Sequence, residues 1–298
     1  MIQISIDPII FSIGSFVVRW YGLMIDIAVI TVVVWALRAV QKSAKLTYDT
    51  VLNAALIGVP SGLIFSRVLH IIDQWQYFAS RPLSQLLSGE GLTIYGAVLG
   101  AALGLWVYSK WSRFQFGILA DIIAPATILA QAIGRVGCIL NGCCYGIVTD
   151  LPWSILYTNT HSYGYLASSN LAEGVGLHPS VVYELLWDLV VFGILLKIGK
   201  RFKPDGALFA IYLALYSFGR LFIDFTRDGT PFLFGLHQAQ VMSIVVMLIT
   251  VPFIVFRTRR ATPEEIAADI KLPEPEEIED EAKKDDVVPA SEEKPHSI

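Results

Sequence analysis

Long apolar stretches alternate with short polar connections along the whole chain. Seven runs stand out, near residues 16–37, 51–72, 92–109, 118–136, 180–198, 206–225 and 238–256, each bounded by charges or by proline and glycine clusters. A helix crosses the hydrocarbon core of a bilayer with about 20 apolar residues, and these runs are close to that length. The third and fourth are interrupted by glycine and polar residues, as in membrane helices whose small residues let neighbours approach closely. The pattern predicts an all-α polytopic membrane protein with seven transmembrane helices.

Charge in the connections sets the expected orientation. Arg38, Lys42 and Lys45 separate the first two runs, and Lys110 with Arg113 the third and fourth. Lys197, Lys200, Arg201 and Lys203 lie between the fifth and sixth, and Arg257, Arg259 and Arg260 follow the seventh. The opposite connections hold only Arg81 and Arg227. Basic loops stay cytoplasmic, so the N-terminus is expected outside and the C-terminus in the cytoplasm.

Composition agrees: 54% of residues are hydrophobic, only 16% are charged, and the mean hydropathy is positive. The net charge of -4 conceals two regions. Residues 261–298 hold 13 acidic residues against 4 lysines, whereas the other 260 hold 13 against 18 bases. The division expected is a seven-helix transmembrane domain over 1–260, with an outer loop at 137–179, and an acidic, disordered cytoplasmic tail over 261–298. The opening "MIQISIDPIIFSIGSF" lacks a basic region, so no cleaved signal peptide is expected.

Polar groups inside the runs gather on the outer side. They include Arg19 and Tyr21, Arg67 and His70, Tyr95, Arg135, Tyr183 and Glu184, Arg220 and Asp224, and His237 with Gln240. The inner halves hold little beyond Asp26 and Asp121. Each arginine alone is as readily a snorkelling helix end. Together they read as a pocket for an anion delivered from the outer leaflet, a phospholipid head group being the obvious candidate. The three cysteines, 138, 143 and 144, form no disulfide framework, and their spacing fits no common zinc pattern even with His161 nearby. They are expected to pack as small residues in a glycine-rich turn, with no metal and no cofactor.

The run Gly134-Arg135-Val136-Gly137-Cys138-Ile139-Leu140-Asn141-Gly142-Cys143-Cys144-Tyr145-Gly146 resembles the signature of the prolipoprotein diacylglyceryl transferases. In the expected order come Trp20-Tyr21-Gly22, Arg67, Gly91 to Gly100, His178-Pro179-Ser180 with Tyr183-Glu184, and Gly219-Arg220 followed by Asp224-Phe225 and Arg227. The similarity covers roughly residues 8–256. The family often carries Asn where Cys138 stands, Glu where Cys143 stands, and in some members His where Tyr95 stands.

The resemblance implies an enzyme of the bacterial cytoplasmic (inner) membrane with a multi-pass fold. It moves diacylglycerol from phosphatidylglycerol to the lipobox cysteine thiol of a prolipoprotein signal peptide, forming a thioether and releasing glycerol phosphate. Its partners are those two substrates and the bilayer, with no nucleic acid. Arginine stays charged and binds phosphate through a bidentate fork, so Arg135 and Arg220 are assigned to the departing phosphate. Tyr95 is assigned to the thiol, and Tyr21, Arg67, Asn141, Gly146, Glu184 and Asp224 to substrate binding. Asp224, four residues after Arg220, also reads as its counter-ion. Two alternatives stay open: an anion or lipid transporter, and a non-catalytic lipid-binding homologue.

Overall fold

The structure, a computed structural model, describes residues 1–14, 16–41, 43, 45–75, 93–199, 201–229 and 231–268. Most of the chain is helical. The long helices are α1 (Trp20–Val40), α2 (Tyr48–Asp73), α3 (Ile94–Trp111), α4 (Phe116–Asn141), α5 (Ser180–Ile198), α6 (Ala207–Ile223) and α7 (Gln238–Arg257). Five of them, α1, α2, α4, α6 and α7, are long and apolar enough to cross a membrane. α5 is as long but carries Glu184, Asp188 and Lys197. Tyr95 lies in the first turn of α3, with its side chain outside the described residues.

Two boundaries differ from the sequence expectation. Residues Phe16–Arg19 form the second strand of a hairpin with Ile9–Ile13, so α1 begins at Trp20. Val17 and Val18 are apolar and β-branched, and a short run of that kind suits a strand or a helix equally. At the other boundary, α4 runs on to Asn141, so the outer loop begins at 142 and not at 137. Gly137 does not break the helix, because it serves a close contact: a Cβ there would stand 2.9 Å from Met24 Cβ of α1.

The same device joins α2 to α3. Gly96, Gly100 and Gly104 form one stripe of α3, and a methyl on them would fall within 2.2–2.5 Å of Phe65 or Ser61 on α2. Small residues at a four-residue spacing bring the two backbones together, and Ser66 of α2 also exchanges hydrogen bonds with Thr93 at the start of α3 at 2.9 and 3.3 Å. α4 is the central helix, with Ala124, Ala126, Ile128 and Ala132 buried and neighbours in α1, α5 and α6. Asp121 on α4 accepts the Gly206 and Phe209 N–H groups at 2.7 and 2.9 Å, capping the start of α6. Its polarity serves that helix terminus.

The two ends of the bundle differ. At one end, Ile2–Ile4 pairs in parallel with Ile155–Tyr157, which continues through Gly176–Leu177 to Val148–Thr149. This small sheet folds the 142–179 segment over the helix ends around Ile155, Tyr157 and Leu177. Tyr157 is only 2% exposed. At the opposite end, Lys45, Gln115, Lys203, Asp205, Arg257 and Arg259 surround a cavity of about 640 Å³. The four basic connections therefore meet on one side.

Of the acidic segment, residues 263–268 form a short helix and do not share the expected disorder. Thr262 and Glu265 cap each other's N–H groups at 2.9 and 3.3 Å, and Arg259 holds both oxygens of Glu265. A capping box of this kind fixes the first turn. The remainder of the tail, 269–298, lies outside the described residues.

Candidate active site

Glu184 sits in the second turn of α5 and is fully buried. A buried carboxylate is stable only when charges and hydrogen bonds replace its water, and four groups do so here. Arg135 of α4 donates through Nη2 to Oε1. Arg220 of α6 donates through Nη1 to Oε2 at 2.8 Å, and Arg227, just beyond α6, reaches the same oxygen at 3.4 Å. The Tyr216 hydroxyl donates to Oε1 at 3.3 Å. Three elements thus deliver three guanidiniums to one carboxylate.

The acceptor lies behind its donors. Glu184 shows 1% of its side chain, whereas Arg135, Arg220 and Arg227 show 20%, 17% and 14%. Glu184 orients the forks and leaves part of each accessible. Asp224 braces the group, meeting Arg220 Nη2 at 3.4 Å and His237 Nδ1 at 2.8 Å. His237 also starts α7, where its backbone N–H donates to Gln240 Oε1 at 2.9 Å. The expected counter-ion role of Asp224 matches this geometry, and the carboxylate also ties α6 to α7.

Arg227 is placed by the outer segment. Gly146 forms an isolated antiparallel bridge with it. A Cβ on Gly146 would stand 2.2 Å from Thr226 O, 2.3 Å from Ser180 Oγ and 2.5 Å from His178 Cβ. Gly146, assigned from the sequence to substrate binding, thus makes its close approach to the chain itself. Ser180 Oγ completes the lock, lying 3.1 Å from Thr226 O and 2.7 Å from its hydroxyl.

The other expected site residues are spread around this group. Tyr21 is in the first turn of α1 and exposed. Asn141 ends α4, buried, with Gly142 following at φ +70° to reverse the chain. Arg67 is on α2, whose main packing is against α3 and α1. His178 and Tyr183 are linked at 3.4 Å, and the Trp153 indole donates to the Tyr183 hydroxyl at 2.8 Å. That pair fastens the outer segment to α5.

Sequence reasoning missed Arg227, Tyr216 and Asp188 as members of the site. Arg227 had a signal, since it is an arginine in an outer connection otherwise poor in basic residues. Tyr216 lies one turn before Arg220 on α6. Asp188 lies one turn below Glu184, fully buried, and both its oxygens lack a hydrogen-bond partner among the described residues. An apolar run containing such an aspartate offers no periodic cue.

Comparison with known proteins finds relatives over most of the chain. A phosphatidylglycerol–prolipoprotein diacylglyceryl transferase of Dehalococcoides mccartyi is 46% identical over 260 residues, covering 87% of this chain and 97% of that protein. One of Clostridioides difficile is 34% identical over 80% of this chain and 90% of its own length. One of Bacillus cereus is 34% identical over 86% and 93%. The sequence profile of the prolipoprotein diacylglyceryl transferases matches residues 8–256, which carry every member of the Glu184 group, and the chain belongs to that family.

Proposed function

We propose that the guanidiniums on Glu184 are the phosphate site of a diacylglyceryl transfer. The chain is a phosphatidylglycerol–prolipoprotein diacylglyceryl transferase, and the observation that carries the site assignment is the meeting of Arg135 and Arg220 on one buried carboxylate. The sulfur of the acceptor cysteine attacks glycerol C3, a carbon–sulfur bond forms, and the carbon–oxygen bond to phosphate breaks. The electron pair leaves with the phosphate oxygen, and the thiol proton passes to a base.

Charge develops on the departing phosphate, so donors fixed in advance lower the barrier more than water, which must reorient. Arg135 and Arg220 are the catalytic pair, Arg227 joins them, and Glu184 and Asp224 hold the forks in place. Tyr95 orients or deprotonates the thiol. Tyr21, Arg67 and Asn141 contact the head group or the incoming peptide, and Gly146 acts through the placement of Arg227.

The membrane arrangement completes the proposal: seven spans in the bacterial inner membrane, with the small sheet and the arginine site outside and the basic end in the cytoplasm. That orientation presents the site to outer-leaflet lipid and to a lipobox emerging on the same side. The test is a reconstituted assay with phosphatidylglycerol and a lipobox peptide, read by mass spectrometry for the thioether adduct. Arg135→Ala and Arg220→Ala should each lower product at least 100-fold. Transport of an anion without adduct, or binding without adduct, would overturn the proposal.

A further inference from the structure

The three cysteines take no part in the chemistry above, yet the fold gathers them. α4 ends in a Schellman turn, in which the Gly142 N–H returns to Ile139 O at 3.3 Å and the Cys143 N–H to Cys138 O at 3.1 Å. The reversal carries Cys143 back over Cys138. Cys144 follows at φ +61°, a conformation costly for a residue with a Cβ, and brings in the third thiol. All three Sγ atoms lie within 4.8 Å of one another, and all are free thiols.

Two buried oxygens border them. Asn141 Oδ1 and Tyr157 Oη have no hydrogen-bond partner among the described residues, and the two side chains belong to residues 6% and 2% exposed. Asn141 is the last residue of α4 before the turn that carries Cys143, and the Tyr157 ring comes within 3.1 Å of a Cβ built on Gly142 in that turn. Arg227 is bridged to Gly146, two residues beyond Cys144. Burial first, then the neighbouring thiols, push the Tyr157 phenol up.

We propose that Cys138, Cys143 and Cys144 form a thiolate site for a closed-shell, sulfur-seeking metal ion of the zinc(II) class. Three sulfurs each about 2.3 Å from one ion stand roughly 4 Å apart, so the observed cluster needs only a small contraction. Asn141 Oδ1 supplies the fourth position directly or through a water. Entry of a divalent ion releases three thiol protons to solvent and leaves one net negative charge, which Arg227 offsets. The ion would pin the turn between α4 and the outer segment, next to the guanidiniums on Glu184. His161, the fourth ligand considered from the sequence, is engaged with Asp7 at 3.0 Å.

The test uses the full chain in detergent, reduced, stripped with a chelator and titrated with cadmium(II) or zinc(II) alone. Thiolate-to-cadmium charge-transfer absorption should saturate at about one ion per chain. Cys138→Ser and Cys143→Ser should each weaken binding at least 10-fold, and zinc should raise the thermal midpoint of the native chain but not of these variants. Native protein that takes up no stoichiometric metal after reduction would overturn the proposal. So would serine variants that bind as the native chain does, or a disulfide among the three that survives reductant and excludes the ion.

Discussion

Glu184 is the residue on which the site depends, because three cations point at it from separate elements. Removing one partner of a buried ion pair costs about 3–5 kcal/mol. Glu184→Gln keeps the shape and removes the charge, so it should lower turnover about 100-fold and the thermal midpoint measurably in the same preparation. Wild-type turnover in that variant would show that the forks need no carboxylate behind them. Arg227 offers a finer probe. Arg227→Lys keeps the charge but loses the planar fork, and should retain activity between the native chain and Arg227→Ala. Equal loss in both would mean that two N–H groups, and not charge, are required; no loss in either would remove Arg227 from the site. At this scale the sequence offered the residue types and their outer location. It could not offer the convergence, because helix register and tilt decide which side chains of α4, α5 and α6 meet.

At the scale of elements, most long helices were legible because apolar length is a strong signal, and the misreadings fell where one residue type has two uses. The loop expected from 137 begins at 142, because Gly137 is a packing surface within α4; Val17 and Val18, at the start of the first apolar run, are strand. The glycine stripe of α3 gives a test of the packing use. Gly104→Leu forces a side chain into Ser61, where even a Cβ would stand 2.2 Å from the hydroxyl oxygen. It should separate α2 from α3 and cost about 1–3 kcal/mol, or more, seen as a lower thermal midpoint in detergent. Gly193 of α5 has nothing within 4 Å of a built Cβ. Gly193→Ala should therefore be neutral or stabilising by up to about 1 kcal/mol. If both variants behaved alike, the close approach of α2 and α3 would be wrong.

Across the whole molecule, the two ends carry different chemistry, and the proposed orientation rests on that difference. One end holds the small sheet, the Glu184 group and few basic connections; the other brings Lys45, Lys203, Arg257 and Arg259 around one cavity, with Asp205 bound to Lys45 at 3.4 Å and to Lys203 at 2.8 Å. Lysine and arginine are held back from translocation, which is the ground for proposing the second end as the cytoplasmic one. Arg259 draws Glu265 down to about 2 from its ordinary 4.5. A carboxylate lowered in the folded state stabilises above its ordinary value and loses that contribution as pH falls towards the lowered one. Amide exchange across 259–268 should therefore stay protected at neutral pH and open on acidification. Topology itself is tested with two epitopes, one after Gly174, whose φ of +82° and open surroundings mark an exposed turn, and one after Ile298. In intact spheroplasts an antibody should reach the first, and reach the second only after the membrane is permeabilised. The reverse pattern would turn the molecule over, leaving the arginine site facing a compartment where no lipobox arrives.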